Sequence, residues 1–320
     1  MIVSPEGPLP PEVTVIIPVF NARFYLSEQL EALDRQYVSV SWELLLVDNG
    51  SSDGSRQLID AWAATREYVR VLDASMRRGP AHARNVGANG ARGRLLLYTD
   101  ADDVVGPGWI AAMLKASTQA DLLAGCDVEH PSALAVQQAK PAHPAVSGGA
   151  FLPFARGGNL AVGRSTLQQL GGWNEEWIRG QDVELSWRAQ CAGRSLYTVP
   201  DARVHYRRPE ALGAILAQQF EFGRRAPELH RAFGAFDAPE PQAVPAISRL
   251  LSTLLRWPSL LLPSRRRAWL IYLAGTWGRA VGTLWPRPAV ARERTFRTRR
   301  WFSRRPASTS STRNDRPSDS

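Results

Sequence analysis

The regular patterning starts at Val13-Thr-Val-Ile-Ile17, a continuous apolar run stopped by Pro18, which predicts a buried β-strand. Leu26, Leu30 and Leu33 then recur at helical spacing between Tyr25 and Leu33. A second strand-like run, Trp42 to Val47, ends in the turn-forming Asp48-Asn-Gly-Ser-Ser-Asp-Gly54. The pattern continues with a helix over Ser55 to Ala64, a short strand at Val69 to Asp73 and a helix over Ala81 to Gly90. The strand Leu95 to Thr99 closes this series and runs directly into Asp100. Continuous apolar strands alternating with helices predict an α/β fold, a mostly parallel sheet covered on both faces. Ligands in such sheets sit at the carboxyl ends of the strands. Here those ends carry Asn21, Asp48-Asn49 and Asp100-Ala-Asp-Asp103.

Beyond Leu122 the pattern loosens. Pro131 to Pro144 reads as flexible, Ala211 to Arg225 as a helix and Pro227 to Pro245 as a linker. Ile247, Leu250, Leu251, Leu254 and Leu255 form one apolar helix face, with Arg249 and Arg256 off it, until Pro258. Ala268 to Trp285 is apolar and Trp-rich but interrupted by Arg279 and several glycines. The expected organisation is a tail over 1–11, an α/β domain over 12–226, a linker over 227–246, a helical extension over 247–288 and a disordered basic tail over 289–320.

Charge divides the chain at the same place. The whole carries a formal +9, but residues 249–320 hold 16 basic and 3 acidic residues, a net +13. The first 248 residues are therefore mildly acidic, which argues against a nucleic-acid partner for the main body. Cys126 and Cys191 have no partner spacing for zinc or for a disulfide framework. Met1 to Glu12 lacks the basic-then-apolar pattern of a secretion signal, and no uncharged apolar run reaches the ~20 residues of a membrane span. A cytoplasmic location is expected, with a peripheral place on the inner face of the cell membrane left open. No Gly-x-x-x-x-Gly-Lys loop is present, and Gly87-x-x-Gly-x-x-Gly93 follows a helix rather than a strand. Neither a P-loop nor a dinucleotide fingerprint is supported.

The chemistry concentrates at Asp100-Ala101-Asp102-Asp103. Three carboxylates in four residues repel one another, and a hard divalent cation, Mn²⁺ or Mg²⁺, would offset that repulsion while sharing its shell with phosphate oxygens. A solvated strand-to-turn junction with a capping aspartate fits the same residues.

Six further segments accompany it in order: Val13 to Asn21, Leu45 to Ser55 and Arg78 to Gly87 before it, then Gly163 to Trp173, Gly180-Gln-Asp-Val-Glu-Leu-Ser-Trp-Arg188 and Val204-His205. Together they resemble the family 2 glycosyltransferases of GT-A fold, over roughly residues 12 to 208. The resemblance implies a metal-dependent, inverting transfer of one sugar from a nucleotide-diphosphate sugar to an acceptor hydroxyl on a glycan, a lipid-linked saccharide or a small molecule, in cell-envelope or glycolipid synthesis. It assigns Pro18, Phe20, Asn21, Asp48, Asn49, Arg84 and Asp100 to the nucleotide-sugar pocket. Asp100, Asp102 and His205 become metal ligands, Asp182 the catalytic base, and Gly158, Asn159 and Trp173 the sugar and acceptor side.

The sequence also departs from the family. Asn49 stands where many relatives have a second aspartate, so UDP, dTDP and GDP donors all stay open. Gln181 stands where an acid usually precedes the base. These two changes keep alive the alternative of a non-catalytic adaptor at the membrane surface. No Gln-x-x-Arg-Trp follows Asp182, which favours transfer of a single sugar over processive synthesis. For the extension, Ile247 to Leu255, Trp257, Arg265-Arg-Arg267 and the series Trp269, Trp277, Trp285 fit either an interfacial region drawn to anionic lipid or a helical layer packed on the domain.

Overall fold

The computed structural model describes residues 10–129, 141–143, 146–148, 151–209, 211–257 and 263–286. Met1 to Leu9, most of Pro131 to Pro144 and the expected tail over 289–320 lie outside these residues. The first half follows the sequence pattern closely: β1 (Val13–Val19), α1 (Arg23–Asp34), β2 (Trp42–Asp48), α2 (Ser55–Ala63), β3 (Val69–Asp73), α3 (Pro80–Gly90) and β4 (Leu95–Thr99). β5 (Val104–Val105), α4 (Trp109–Ala116), β6 (Leu122–Glu129), β7 (Pro141–His143), β8 (Val146–Gly148) and β9 (Pro153–Ala155) follow. Then come β10 (Asn159–Gly163), α5 (Arg164–Gln169), α6 (Gln181–Cys191), β11 (Leu196–Tyr206), α7 (Leu212–Ala232), α8 (Ala243–Leu254) and α9 (Pro263–Leu284).

The main sheet has the order β3-β2-β1-β4-β10-β6-β11-β5, with β7 added on β6, and β8 pairs with β9 alone. β3, β2, β1 and β4 are mutually parallel, as the apolar runs predict. β10 enters antiparallel between β4 and β6, so the second half of the sheet is mixed. Burial on both faces explains the unbroken apolar strands. Val13, Val15, Ile17 and Val19 pack toward α1 and α4, through Leu26, Leu30, Trp109 and Met113. Ile16, Leu45 and Val47 pack to the other side with Ala81, Ala83, Trp173 and Leu185. Gly87 of α3 allows the close helix–strand contact there, because a Cβ at this position would lie 2.4 Å from the Ile16 side chain.

Helix α7 runs through Pro227 and reaches Ala232, so the first residues of the expected linker are helical and Pro227 is buried within them. The extension packs on this helix through glycine. A Cβ at Gly223 would lie 2.1 Å from the Gly275 carbonyl oxygen, and one at Gly278 would lie 2.0 Å from that of Phe220. Such spacing brings helix backbones into contact, which only glycine permits. Arg231 closes the end of α9 by donating to the carbonyls of Gly282 and Thr283 at 2.8 and 2.7 Å. Trp269, expected among the interfacial tryptophans, instead donates its indole N–H to Thr253 of α8 at 2.9 Å.

This interface gives a direct test. Gly278→Ala should destabilise the protein by about 1–3 kcal/mol through overpacking. Gly213→Ala, whose Cβ would meet nothing within 4 Å, should be neutral or stabilising by up to about 1 kcal/mol. Denaturant unfolding of both variants checks the contrast.

Candidate functional site

The carboxyl ends of β1, β2 and β4 open into a cleft of about 750 Å³. Its floor carries Pro18, Phe20 and Asn21 after β1, Asn49 after β2, and Asp100 and Asp102 after β4. One wall is Arg156-Gly157-Gly158, leading into β10; another is Arg179 to Asp182 at the start of α6. Gln218 and Phe222 of α7 complete the mouth.

Asp100 and Arg84 form the central pair. Arg84 is buried on α3 and its Nη2 donates to Asp100 Oδ1 at 2.7 Å. Its guanidinium lies 4.8 Å from the ring centroid of Trp173, which holds it flat. Nε and Nη1 of Arg84 are buried and have no hydrogen-bond acceptor among the described residues. An unsatisfied buried donor costs on the order of 1–3 kcal/mol, more when charged. Two of them on one cleft-lining arginine point to an anionic or oxygen-rich ligand.

The acidic turn is held rigidly from behind. Gln29, fully buried in α1, donates to Thr99 Oγ1 at 3.0 Å and to the Asp100 carbonyl at 3.1 Å, and accepts the Val105 N–H at 2.9 Å. Asp103 is buried and accepts the Arg207 backbone N–H at 3.1 Å. Burial, then the charges of Asp100 and Asp102, push the Asp103 carboxyl well above the usual carboxylate range. Asp102 opens to the cleft but is crowded by its walls; that partial desolvation, then the Asp100 charge, raises it to about 6. Asp102 makes no ion pair among the described residues. Gly158 sits against this cluster: a Cβ there would lie 2.6 Å from Asp100 Oδ2 and 3.1 Å from Asp103 Oδ2. Only glycine leaves Asp100 Oδ2 accessible.

Across the cleft, Asp182 stands in the first turn of α6, where the helix dipole favours a carboxylate. Its Oδ2 accepts the Gly157 N–H at 3.1 Å and its Oδ1 the Val183 N–H at 2.9 Å. Glu184, two residues on in the same first turn, is fully buried and forms a two-pronged pair with Arg188, both bonds 2.9 Å.

Several expected site residues lie elsewhere or act on neighbouring backbone. Asp48 does not line the cleft; its carboxylate accepts the Gly50 and Ser51 N–H groups at 3.3 and 3.2 Å. Asn49 lines it, but its amide donates to the Ala74 and Arg77 carbonyls and accepts the Gly79 N–H, all within 2.8 Å. The Asn21 side-chain oxygen accepts the Ser52 N–H at 2.8 Å. Asn159 is a buried node bonded to Trp109, Asp127 and the Ala202 carbonyl. Trp173 is core, edge-on to Tyr98, and supports Arg84 from beneath. His205 lies on β11 beside Val104, outside the cleft lining. Among the described residues no three His, Cys, Asp or Glu side chains converge as a metal site, so His205 does not join Asp100 and Asp102 here.

Arg78, Arg156, Arg179 and Arg207 also line the cleft, and the sequence reading assigned none of them to it. Arg156 pairs with Asp127 and stacks 4.0 Å over the Tyr206 ring. Its place immediately before Gly157-Gly158-Asn159 is the signal that could have marked it. Arg78 lines the cleft with its guanidinium 5.0 Å from the Phe20 ring. Arg77 instead pairs with Glu175 and Glu176.

Residues 14–139 match the family model described as glycosyl transferase family 2. Over these residues the chain carries the family 2 glycosyltransferase pattern. It is 28% identical over 222 residues to the glycosyltransferase AglE of Haloferax volcanii, spanning 67% of this chain and 72% of AglE. It is 32% identical over 103 residues to WfgD of Escherichia coli, a UDP-Glc:alpha-D-GlcNAc-diphosphoundecaprenol beta-1,3-glucosyltransferase; that match spans 32% of this chain and only 38% of WfgD. In structure the glycosyltransferase resembles the mannosyltransferase PcManGT of Pyrobaculum calidifontis, solved with GDP-Man and Mn²⁺. The TM-score is 0.62 at 22% identity, over 89% of this chain and 90% of that one. This likeness establishes the GT-A fold.

The buried Glu184–Arg188 pair anchors the helix that presents Asp182, because Arg188 also donates to the carbonyls of Leu170 and Gly172. Glu184→Gln should destabilise the glycosyltransferase by about 3 kcal/mol, as loss of one buried ion-pair partner leaves the other uncompensated. Thermal and denaturant unfolding will measure it.

Proposed function

We propose that the protein is an inverting, metal-dependent glycosyltransferase that moves one sugar from a nucleotide-diphosphate sugar to an acceptor hydroxyl. The observation that carries this reading is the opposition, across one cleft, of an anion-seeking arginine beside exposed carboxylates and a single carboxylate at a helix N-terminus. Arg84, with two donors lacking acceptors, suits the oxygens of the donor nucleotide. Arg156 and Arg78 add positive charge along the same walls. The donors carried by PcManGT and named for WfgD, GDP-Man and UDP-Glc, are both of this class.

The residues at the end of β4 fit a divalent cation. Asp100 and Asp102 offer hard oxygen ligands, their mutual repulsion is relieved by positive charge, and Gly158 keeps the approach open. Mn²⁺ or Mg²⁺ bound there would neutralise charge developing on the departing diphosphate.

Asp182 takes the proton. The acceptor oxygen forms its bond to the anomeric carbon while the bond from that carbon to the diphosphate oxygen breaks, and the acceptor proton passes to the Asp182 carboxylate. The electron pair leaves with the nucleoside diphosphate. Attack opposite the leaving group inverts the anomeric centre, so an α-linked donor yields a β-linked product. The hydrogen bonds from Gly157 and Val183 fix the two Asp182 oxygens, and the residue lines the cleft that holds the donor site. Gln181 is an amide, so the residue preceding Asp182 adds no charge beside it, and its buried oxygen has no donor among the described residues. Cell-envelope or glycolipid synthesis is the setting that the relatives favour, with an acceptor on a glycan or a lipid-linked saccharide.

A panel of nucleotide sugars with Mn²⁺ or Mg²⁺, read by nucleoside diphosphate release, tests the reading. Asp182→Asn should lower kcat by about 10²–10⁴-fold with little change in donor affinity, and chelation or Asp102→Ala should abolish turnover. A fully active Asp182→Asn would remove Asp182 from its role. No release with any donor would instead favour a binding adaptor.

A further inference from the structure

We infer that the C-terminal helical layer is a docking surface for an anionic lipid bilayer, and that the apolar flank of α8 is the part that enters the interface. Helix α8 packs with its small side. Ala246 and Thr253 are buried against the protein, while the larger apolar residues face away from it. Val244, Ile247, Leu251, Leu254 and Leu255 recur at steps of three and four residues, which makes one continuous stripe along the helix. Leu251 is 54% exposed, Leu255 78% and the following Trp257 57%. A soluble surface rarely carries so continuous an apolar strip without an occupant.

Charge identifies the occupant. From Pro241 to Pro286 the sequence contains six arginines and no acidic residue. Arg249 of α8 and Arg256 just beyond its end are exposed on the flank opposite the stripe, and Arg265, Arg266 and Arg267 are exposed at the start of α9. Aromatic residues of the same layer, Tyr272 and Trp277, are more than half exposed. Leucines to enter the acyl boundary, tryptophans for the headgroup level and arginines for anionic headgroups are the three elements of an interfacial helix. No helix among the described residues is long and apolar enough to cross a membrane. Contact in the plane of the bilayer is the geometry that remains for this surface.

The layer is also tied to the cleft. Helix α7 contributes Gln218 and Phe222 to the cleft mouth and presents Gly223 to α9. A surface held through α9 is therefore one helix away from the site.

Flotation of the full chain with vesicles of phosphatidylcholine alone, or mixed with phosphatidylglycerol, tests the inference without any nucleotide sugar, so its outcome is independent of the proposed reaction. Binding should appear with the anionic vesicles, weaken as salt rises, and fall at least about tenfold in Leu251→Ser/Leu255→Ser. Both leucines are exposed, so that variant should keep the wild-type Tm. Absence of binding to anionic vesicles, or binding unchanged by the double substitution, would overturn the inference. So would a dimer in sedimentation velocity that the same substitution dissociates, because the stripe would then join two copies of the chain.

Discussion

Like-charge repulsion at the end of β4 organises this molecule. Asp100, Asp102 and Asp103 crowd into one turn, and the surrounding structure acts to hold them there. Gln29 ties the turn at three points from the helix behind it. Arg84 neutralises Asp100 from one side, and Trp173 supports Arg84 in turn. Arg207 satisfies Asp103 through its backbone N–H. Gly158, on the opposing wall, withholds the one carbon that would cover Asp100 Oδ2. Burial, and after it the charges of the neighbouring carboxylates, raises the proton affinities of Asp102 and Asp103.

The parallel half of the sheet was legible because its strands are buried on both faces, so their apolar runs are unbroken. Asp100 and Asp102 were legible because no ordinary turn needs three carboxylates. What the sequence could not convey was direction. Asp48 and Asn49 sit at the right strand end, but Asp48 stays out of the cleft lining and Asn49, which lines it, bonds the backbone of the neighbouring loop through its side chain. Asn159 and Trp173 belong to segments that border the cleft yet face inward. A conspicuous motif identifies a strand end; the side-chain hydrogen bonds decide which of its residues face a ligand. Arg156 shows the converse, an inconspicuous residue whose importance arises from Asp127 and Tyr206, remote in sequence.

The packing of the C-terminal region carries the helical-layer reading and is compatible with the docking surface proposed for it. Its glycines and Trp269 bind α9 to α7 and α8, as a packed layer requires. Its leucines on α8 face outward, as a docking surface requires. The sequence shows a helix with apolar residues on one face and small residues on another; only the packing reveals that the small face turns inward. The contrast in charge, a mildly acidic domain and a basic extension, thus follows a structural boundary.

The central claim is that the open oxygens beside Gly158 form a metal-dependent site for a nucleoside diphosphate. Calorimetric titration of GDP and UDP into the wild-type protein and Gly158→Ala, with and without Mn²⁺, tests it most directly. The account predicts tight binding of at least one nucleotide only when Mn²⁺ is present, and loss of that binding in Gly158→Ala while Tm is retained. Equal nucleotide affinity with and without the metal, or an unchanged affinity in Gly158→Ala, would contradict it.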